Sequence, residues 1–85
     1  MTDTGRIEAR VRALVQDLAG GEARSIGRDD DLVEALAIDS LQGLRLLAGV
    51  EKTFGVRLPD DQLIHMRTIG RITDMVERLE RGGSS

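Results

Sequence analysis

The stretch that decides the fold is residues 39–55, which read DSLQGLRLLAGVEKTFG. Apolar side chains recur here at the spacing of an α-helix. One line of this face comprises Leu44, Leu47, Glu51 and Phe54, and Leu46 and Val50 widen it. Asp39 followed by Gln42 gives the D-x-x-Q pattern of a capping box, and Gly55 can end a helix in the left-handed conformation. The segment therefore predicts a capped amphipathic helix that begins at residue 39 or 40 and ends at residue 54.

Two further stretches have helical spacing. The first, over residues 3–18, carries apolar side chains at Ile7, Val11, Leu14, Val15 and Leu18 and can end at the Gly20-Gly21 pair. The last follows Thr68, which can cap it, and carries apolar side chains at Ile69, Ile72, Met75, Val76 and Leu79. Between them, Asp60 or Asp61 can cap a short helix that ends near residue 65.

A long connection spans residues 20–39. Its glycines and the acidic run at residues 29–31 indicate turns. It also contains four large apolar residues, namely Ile26, Leu32, Leu36 and Ile38. A connection with such side chains must lie across the core, and a short helical turn is expected over residues 32–36.

These elements predict an all-α fold, a small four-helix bundle of three longer helices plus a short third helix, with a long first loop. The 85 residues allow one domain. We place that domain at residues 1–81 and a flexible C-terminal tail at residues 82–85. The predicted core comprises Val11, Leu14, Leu36, Leu46, Val50, Phe54, Ile69, Ile72 and Val76, and Met66 and Met75 are expected to fill gaps in it.

The composition excludes several classes of function. The chain has no Cys, one His and no Trp or Tyr, which excludes thiolate chemistry, multi-histidine metal sites and the stacking of bases on aromatic rings. Its net charge is −3 with dispersed cations, so no nucleic acid partner is expected. Neither a secretory signal nor a stretch long enough to span a bilayer is visible. We therefore expect a cytoplasmic protein without a membrane partner. We also expect it to be a monomer.

Four short motifs follow one another along the chain. They are D-S-L at residues 39–41, E-x-x-F-G at 51–55, L-P-D at 58–60 and T-I at 68–69. Their order and spacing resemble those of the acyl carrier protein family over residues 31–79. A lone D-S-L is weak evidence, whereas the ordered set in a helical chain of this length is specific.

The resemblance implies that a phosphopantetheinyl transferase moves 4′-phosphopantetheine from coenzyme A onto Ser40. The thiol of that group would then carry acyl intermediates as thioesters, and Asp39 and Leu41 would flank the attachment site. The family's members are not enzymes, so the implied partners are the acyl-loading and biosynthetic enzymes of the pathway. The residues alone favour the same position, because a serine in the first turn of a helix lies where free N–H groups and the helix dipole stabilise an anion.

Some positions depart from the pattern of carriers in primary fatty acid synthesis, whose helix after the serine tends to be acidic. Here Arg45 and Lys52 occupy that helix, and Ala37 replaces a glycine that is common two residues before the Asp. These departures favour a polyketide or other specialised-metabolite pathway, such as antibiotic biosynthesis. A carrier of fatty acid synthesis and an aminoacyl or peptidyl carrier are the alternatives. The expected contacts with partner enzymes are Leu41, Leu44, Arg45 and Ala48.

Simpler interpretations stay open at the level of sequence. Asp39 and Ser40 can be no more than a helix cap in a helical protein-interaction domain, with the serine unmodified. Leu41 can equally be a core residue. Residues 29–31 lack the ligand spacing of an EF-hand calcium loop and are expected to form a solvated turn. His65 is expected to be a surface histidine.

Overall fold

The computed structural model describes residues 3–20, 25–58 and 66–83. Within these ranges the chain forms four helices and no strand, namely α1 (Asp3–Ala19), α2 (Leu32–Leu36), α3 (Ser40–Phe54) and α4 (Ile69–Gly83). The all-α prediction is confirmed, and α2 is the helical turn expected in the long connection. The short third helix predicted near residues 60–65, with His65, lies outside the described residues. Among the helices described, none combines the length and apolar character needed to cross a membrane.

The bundle packs around α1, which contacts both α3 and α4. The buried apolar side chains are Ile7, Val11, Val15, Ile26, Leu32, Ile38, Leu46, Val50, Leu58, Met66, Ile69, Ile72 and Val76. Of the predicted core residues, Leu14, Leu36 and Phe54 are only half-buried and pack against the edge of this cluster, as Met75 does. The other predicted core residues are buried. Helical spacing thus located most of the core, but the predicted list placed three rim residues inside it and omitted the buried residues Ile7, Val15 and Leu58.

The buried face of α3 is rotated from the predicted line. Leu46 and Val50 are buried, whereas Leu44 is 55% exposed. The reason is the position of α1, since a Cβ atom added at Gly49 would lie 3.6 Å from Leu14 Cδ2. α1 therefore covers the side of α3 that carries Leu46 and Val50, and it leaves the side of Leu44 open.

The connection between α1 and α3 is fastened to the start of α4. The Gly70 N–H donates to the Arg28 carbonyl at 2.8 Å, and the Leu32 N–H donates to the Arg67 carbonyl at 2.7 Å. The Arg28 guanidinium also lies 3.3 Å from a Glu8 carboxylate oxygen on α1. Because Leu32, like Ile26 and Ile38, is buried, this connection crosses the core as expected and fixes the chain that leads into α3.

Local capping sets the ends of the two later helices. Gly55 adopts the left-handed conformation with φ +65° directly after α3, as predicted. The Arg71 N–H donates to Thr68 Oγ1 at 3.0 Å, so Thr68 caps α4 as predicted. α4 continues to Gly83, two residues beyond the predicted domain limit at residue 81. The division into a domain and a tail otherwise stays a prediction.

Candidate functional site

A reciprocal pair of hydrogen bonds fixes the start of α3. The Gln42 N–H donates to Asp39 Oδ1 at 2.8 Å, and the Asp39 N–H donates to Gln42 Oε1 at 3.3 Å. Asp39 is extended, with φ −86° and ψ 178°, and the helix begins at the next residue, Ser40. The capping box predicted from D-x-x-Q is therefore present. It fixes the backbone at the start of α3, from which the Ser40 side chain extends.

Ser40 is exposed at this helix start, as is Asp39. No described residue bonds the Ser40 hydroxyl, and the first turn of α3 contains no acidic side chain. The amide groups of this turn and the helix dipole favour an anion at this end. The site therefore suits a serine that is reached by another enzyme and then carries a negatively charged group.

The residue that ends α2 turns the chain towards this site. Ala37 has φ +52° and ψ +40°, the left-handed conformation that L-residues other than Asn and Asp rarely adopt. Glycine, which Ala37 replaces at this position, would adopt this conformation without a steric cost. The turn directs Ile38 into the core and leaves Asp39 and Ser40 in solvent.

A pocket of about 170 Å³ opens beside Ser40. It lies between α2, the start of α3 and the segment before α4, and is lined by Leu32, Val33, Ile38, Asp39, Ser40, Gly43, Leu46, Leu47, Met66 and Arg67. Its interior side chains Ile38, Leu46 and Met66 are buried and apolar. The sequence analysis did not predict this pocket or the contribution of Arg67 to its lining. Its lining residues come from segments that are distant in sequence, and no local pattern links such segments.

The four residues predicted to contact partner enzymes share the open face of α3. Leu41 is 59% exposed and Leu44 is 55% exposed, and Arg45 and Ala48 are exposed with them. The alternative that Leu41 is a core leucine is therefore wrong. An apolar face in solvent directly after Ser40 is available to another protein, although its use as a contact surface stays a prediction.

Two of the three acidic residues at 29–31 accept hydrogen bonds from nearby backbone N–H groups. Asp31 accepts a hydrogen bond from the Val33 N–H at 2.9 Å and caps α2, and Asp30 accepts one from the Gly27 N–H at 2.8 Å. Asp31 also pairs with Arg67 at 2.7 Å. In the part of the chain that the structure describes, no three His, Asp or Glu side chains are grouped so as to hold a metal ion.

The Asp31 carboxyl has a perturbed pKa. Desolvation raises this pKa, but the hydrogen bonds from Val33, Arg67 and Glu34, together with the Arg67 charge, lower it by more. The pKa of Asp31 therefore lies below its ordinary value. The charged form stabilises the wall of the pocket, since Arg67 lines it and Asp31 directly precedes Leu32, which also lines it.

Comparisons with known proteins agree with this geometry. A family model described as "Phosphopantetheine attachment site" matches residues 9–76. The chain is 32% identical over 78 residues to an acyl carrier protein of Rhodococcus erythropolis, an alignment that covers 92% of this chain and 86% of that protein. It is 33% identical over 72 residues to an acyl carrier protein of Porphyromonas gingivalis, covering 85% and 92%. It is 30% identical over 74 residues to the meromycolate extension acyl carrier protein of Mycobacterium leprae, covering 87% of this chain and 64% of that protein.

Proposed function

The chain belongs to the acyl carrier protein family, and we propose that it is a discrete carrier that holds biosynthetic intermediates on a 4′-phosphopantetheine arm attached to Ser40. The family consists of carriers rather than catalysts, and its cofactor is phosphopantetheine. We propose that Ser40 bears this group in the present chain. We also propose that the chain itself catalyses no reaction.

The observation that carries the proposal is that Ser40 is exposed and is the first residue of a capped helix. A phosphodiester on Ser40 Oγ would lie at the N-terminal end of α3, where amide groups and the helix dipole stabilise negative charge. The cap formed by Asp39 and Gln42 holds this end in place. The residues present therefore fit the group that the family carries.

When bound, the arm supplies a thiol, which this cysteine-free chain otherwise lacks, for thioester attachment of cargo. The chain's own residues bind and present rather than react. Ser40 provides the attachment oxygen, Asp39 fixes the helix start, and Leu41 offers an apolar contact beside it. The pocket formed by Ile38, Leu46 and Met66 supplies apolar surface next to the attachment point, which suits a hydrophobic segment of cargo.

The pathway we favour is polyketide or another specialised-metabolite synthesis. Arg45 and Lys52 support it, because they are exposed on a helix that tends to be acidic in carriers of primary fatty acid synthesis. The second candidate is a carrier of fatty acid synthesis or chain extension. The relatives favour that candidate, since two of them are named acyl carrier protein without further qualification and another is named for meromycolate extension.

The proposed partners follow from this role. A phosphopantetheinyl transferase would modify Ser40, and loading and biosynthetic enzymes would bind the chain in turn. Carriers that meet several enzymes need small and transient interfaces, and an exposed face of a single helix meets that need. We propose that the protein acts as a cytoplasmic monomer.

The test is intact mass after incubation of the purified chain with coenzyme A and a broad-specificity phosphopantetheinyl transferase. We expect a gain equal to one phosphopantetheine group in the wild type and in S25A, and no gain in S40A. Circular dichroism of each variant establishes that it is folded. Absence of the gain in folded wild-type protein would support a helical interaction domain instead and would overturn the proposal.

A further inference from the structure

A continuous exposed stripe runs along α3 away from Ser40. Its members are Leu41, Leu44, Arg45, Ala48 and Lys52, all of them exposed. Spacings of three, four, seven and eleven residues place them on one side of the helix. The end nearest Ser40 is apolar and the far end is cationic. We call this set the α3 stripe.

The charge of this part of the chain is opposite to that of the whole protein. The net charge is −3 overall, yet residues 40–58 contain the cations Arg45, Lys52 and Arg57 and a single carboxylate, Glu51. Glu51 is half-buried, and its Oε2 accepts a hydrogen bond from the Leu58 N–H at 2.7 Å. The one acid of this segment is therefore used to hold the chain after α3.

The two cations of the α3 stripe are free to interact with another molecule. Among the described residues, neither Arg45 nor Lys52 has a carboxylate oxygen within 4.0 Å. Asp17 of α1 lines the same shallow depression as Arg45 but does not pair with it. The exposed charges that α3 itself presents beyond Leu44 are therefore the cations Arg45 and Lys52.

We propose that the α3 stripe docks on enzymes whose carrier-binding site is an apolar depression bordered by carboxylates. The proposal rests on the proposed function, because docking would serve to deliver the arm on Ser40 to the partner's active site. Leu41 and Leu44 fill the depression next to the entrance of the partner's active site. Arg45 and Lys52 pair with the acidic border, which fixes the direction in which α3 lies.

The two parts of the stripe affect different rate constants. Exposed charges at a rim act on the rate of encounter and lose their effect as salt screens them. Buried apolar anchors act mainly on the rate of dissociation. A basic docking face, in contrast, would be repelled by Arg45 and Lys52 and would select against this carrier.

The test uses the full-length holo protein and two forms of one probe enzyme. The probe is a carrier-dependent acyltransferase with a basic docking face, and its second form has the docking cations replaced by Glu. We expect the acidic form to associate with the wild-type carrier about tenfold faster than the basic form at low ionic strength, with the difference lost at high ionic strength. With the R45E/K52E carrier, the basic form of the probe should associate faster than the acidic form. R71E/R78E, which makes the same charge change at exposed positions of α4, should leave the wild-type order unchanged.

The apolar part is tested by truncation. L44A should speed dissociation of the acidic probe by about threefold or more, whereas T53A, at an exposed position of α3 outside the stripe and outside the pocket beside Ser40, should not. Faster association with the basic form, or an unchanged order in R45E/K52E, overturns the proposed partner chemistry. Failure of the proposed function is seen separately, as absence of the mass gain on Ser40 before any docking is measured.

Discussion

Arg67 Nη2 lies 2.7 Å from Asp31 Oδ2, and this ion pair joins the first residue before α2 to the segment before α4. The two residues are 36 positions apart in the chain, and Arg67 Nε makes a second contact of 3.2 Å with Asp31 Oδ1. A guanidinium that meets both oxygens of a carboxylate is held in a defined geometry. The pair therefore holds Arg67, which lines the pocket that opens beside Ser40, in a defined position.

This pair predicts a pH dependence of stability. The pKa of Asp31 is lower in the folded chain than its ordinary value of 3.8, so the ionised form stabilises the fold at pH values above 3.8. That contribution is lost as the pH falls from 3.8 through the lower folded value. D31N, which keeps a capping side chain but no charge, should therefore unfold at a lower temperature than wild type at pH 7.

The difference between the two proteins should shrink as the pH falls below 3.8, and thermal unfolding followed by circular dichroism measures it. D29N serves as the control, because Asp29 is an exposed neighbour that makes no ion pair with a described residue. A constant gap between D31N and wild type across this pH range would contradict the role given to the charge.

Loss of the Asp39 cap should affect both stability and modification. D39A removes the acceptor of the Gln42 N–H and should lower the free energy of unfolding by about 1 kcal/mol, whereas D39N, another good cap, should cost only a few tenths. Because fraying of α3 displaces Ser40, phosphopantetheinylation should slow in D39A and remain near wild type in D39N. Urea unfolding and transferase kinetics measure the two effects. A D39N variant as slow as D39A would show that the charge, and not the cap, is what the transferase requires.

Local signals made the bounds of α3 predictable. Its cap pairs residues three apart, and Gly55 ends it, so both ends are encoded within the segment itself. Which face of α3 is buried depends on where α1 lies, and helical spacing alone does not decide whether Leu44 or Leu46 faces the core. The pocket beside Ser40 depends on contacts between distant segments, such as Leu32 with Arg67. The role proposed for Ser40 could be predicted because a motif marks it, whereas tertiary contacts have no comparable sequence signature.

Replacing Ala37 by glycine should stabilise the protein. The left-handed conformation at Ala37 costs about 1–2 kcal/mol for an ordinary L-residue, while glycine loses roughly 0.4–1 kcal/mol more backbone entropy on folding. The net expectation for A37G is a gain of about 0.5 kcal/mol. A35G, at an exposed position inside α2, should instead lose about 1 kcal/mol. Chemical denaturation compares the two, and equal losses in both would refute the strain at residue 37.

Two glycine positions should respond in opposite ways to alanine. A Cβ atom at Gly5 of α1 would meet no atom within 4 Å, whereas one at Gly70 would lie 3.0 Å from Arg28 Nε and 3.2 Å from the Arg28 carbonyl oxygen. That carbonyl also accepts the Gly70 N–H at 2.8 Å, so the backbone cannot withdraw without loss of a hydrogen bond. G5A should therefore raise the free energy of unfolding by about 0.5–1 kcal/mol through helix propensity. G70A should lower it by about 1 kcal/mol or more, because crowding outweighs the same gain in propensity.

Urea unfolding of both variants tests the fastening of the long connection to α4. The double variant R28A/G70A separates the two sources of crowding, since it removes the guanidinium but keeps the carbonyl. Its loss of free energy of unfolding should not exceed the sum of the losses in R28A and G70A, because removal of the guanidinium relieves the clash with Arg28 Nε. A stabilising G70A would mean that the Arg28 segment moves aside at little cost. In that case the segment would not hold the approach to Ser40 in place.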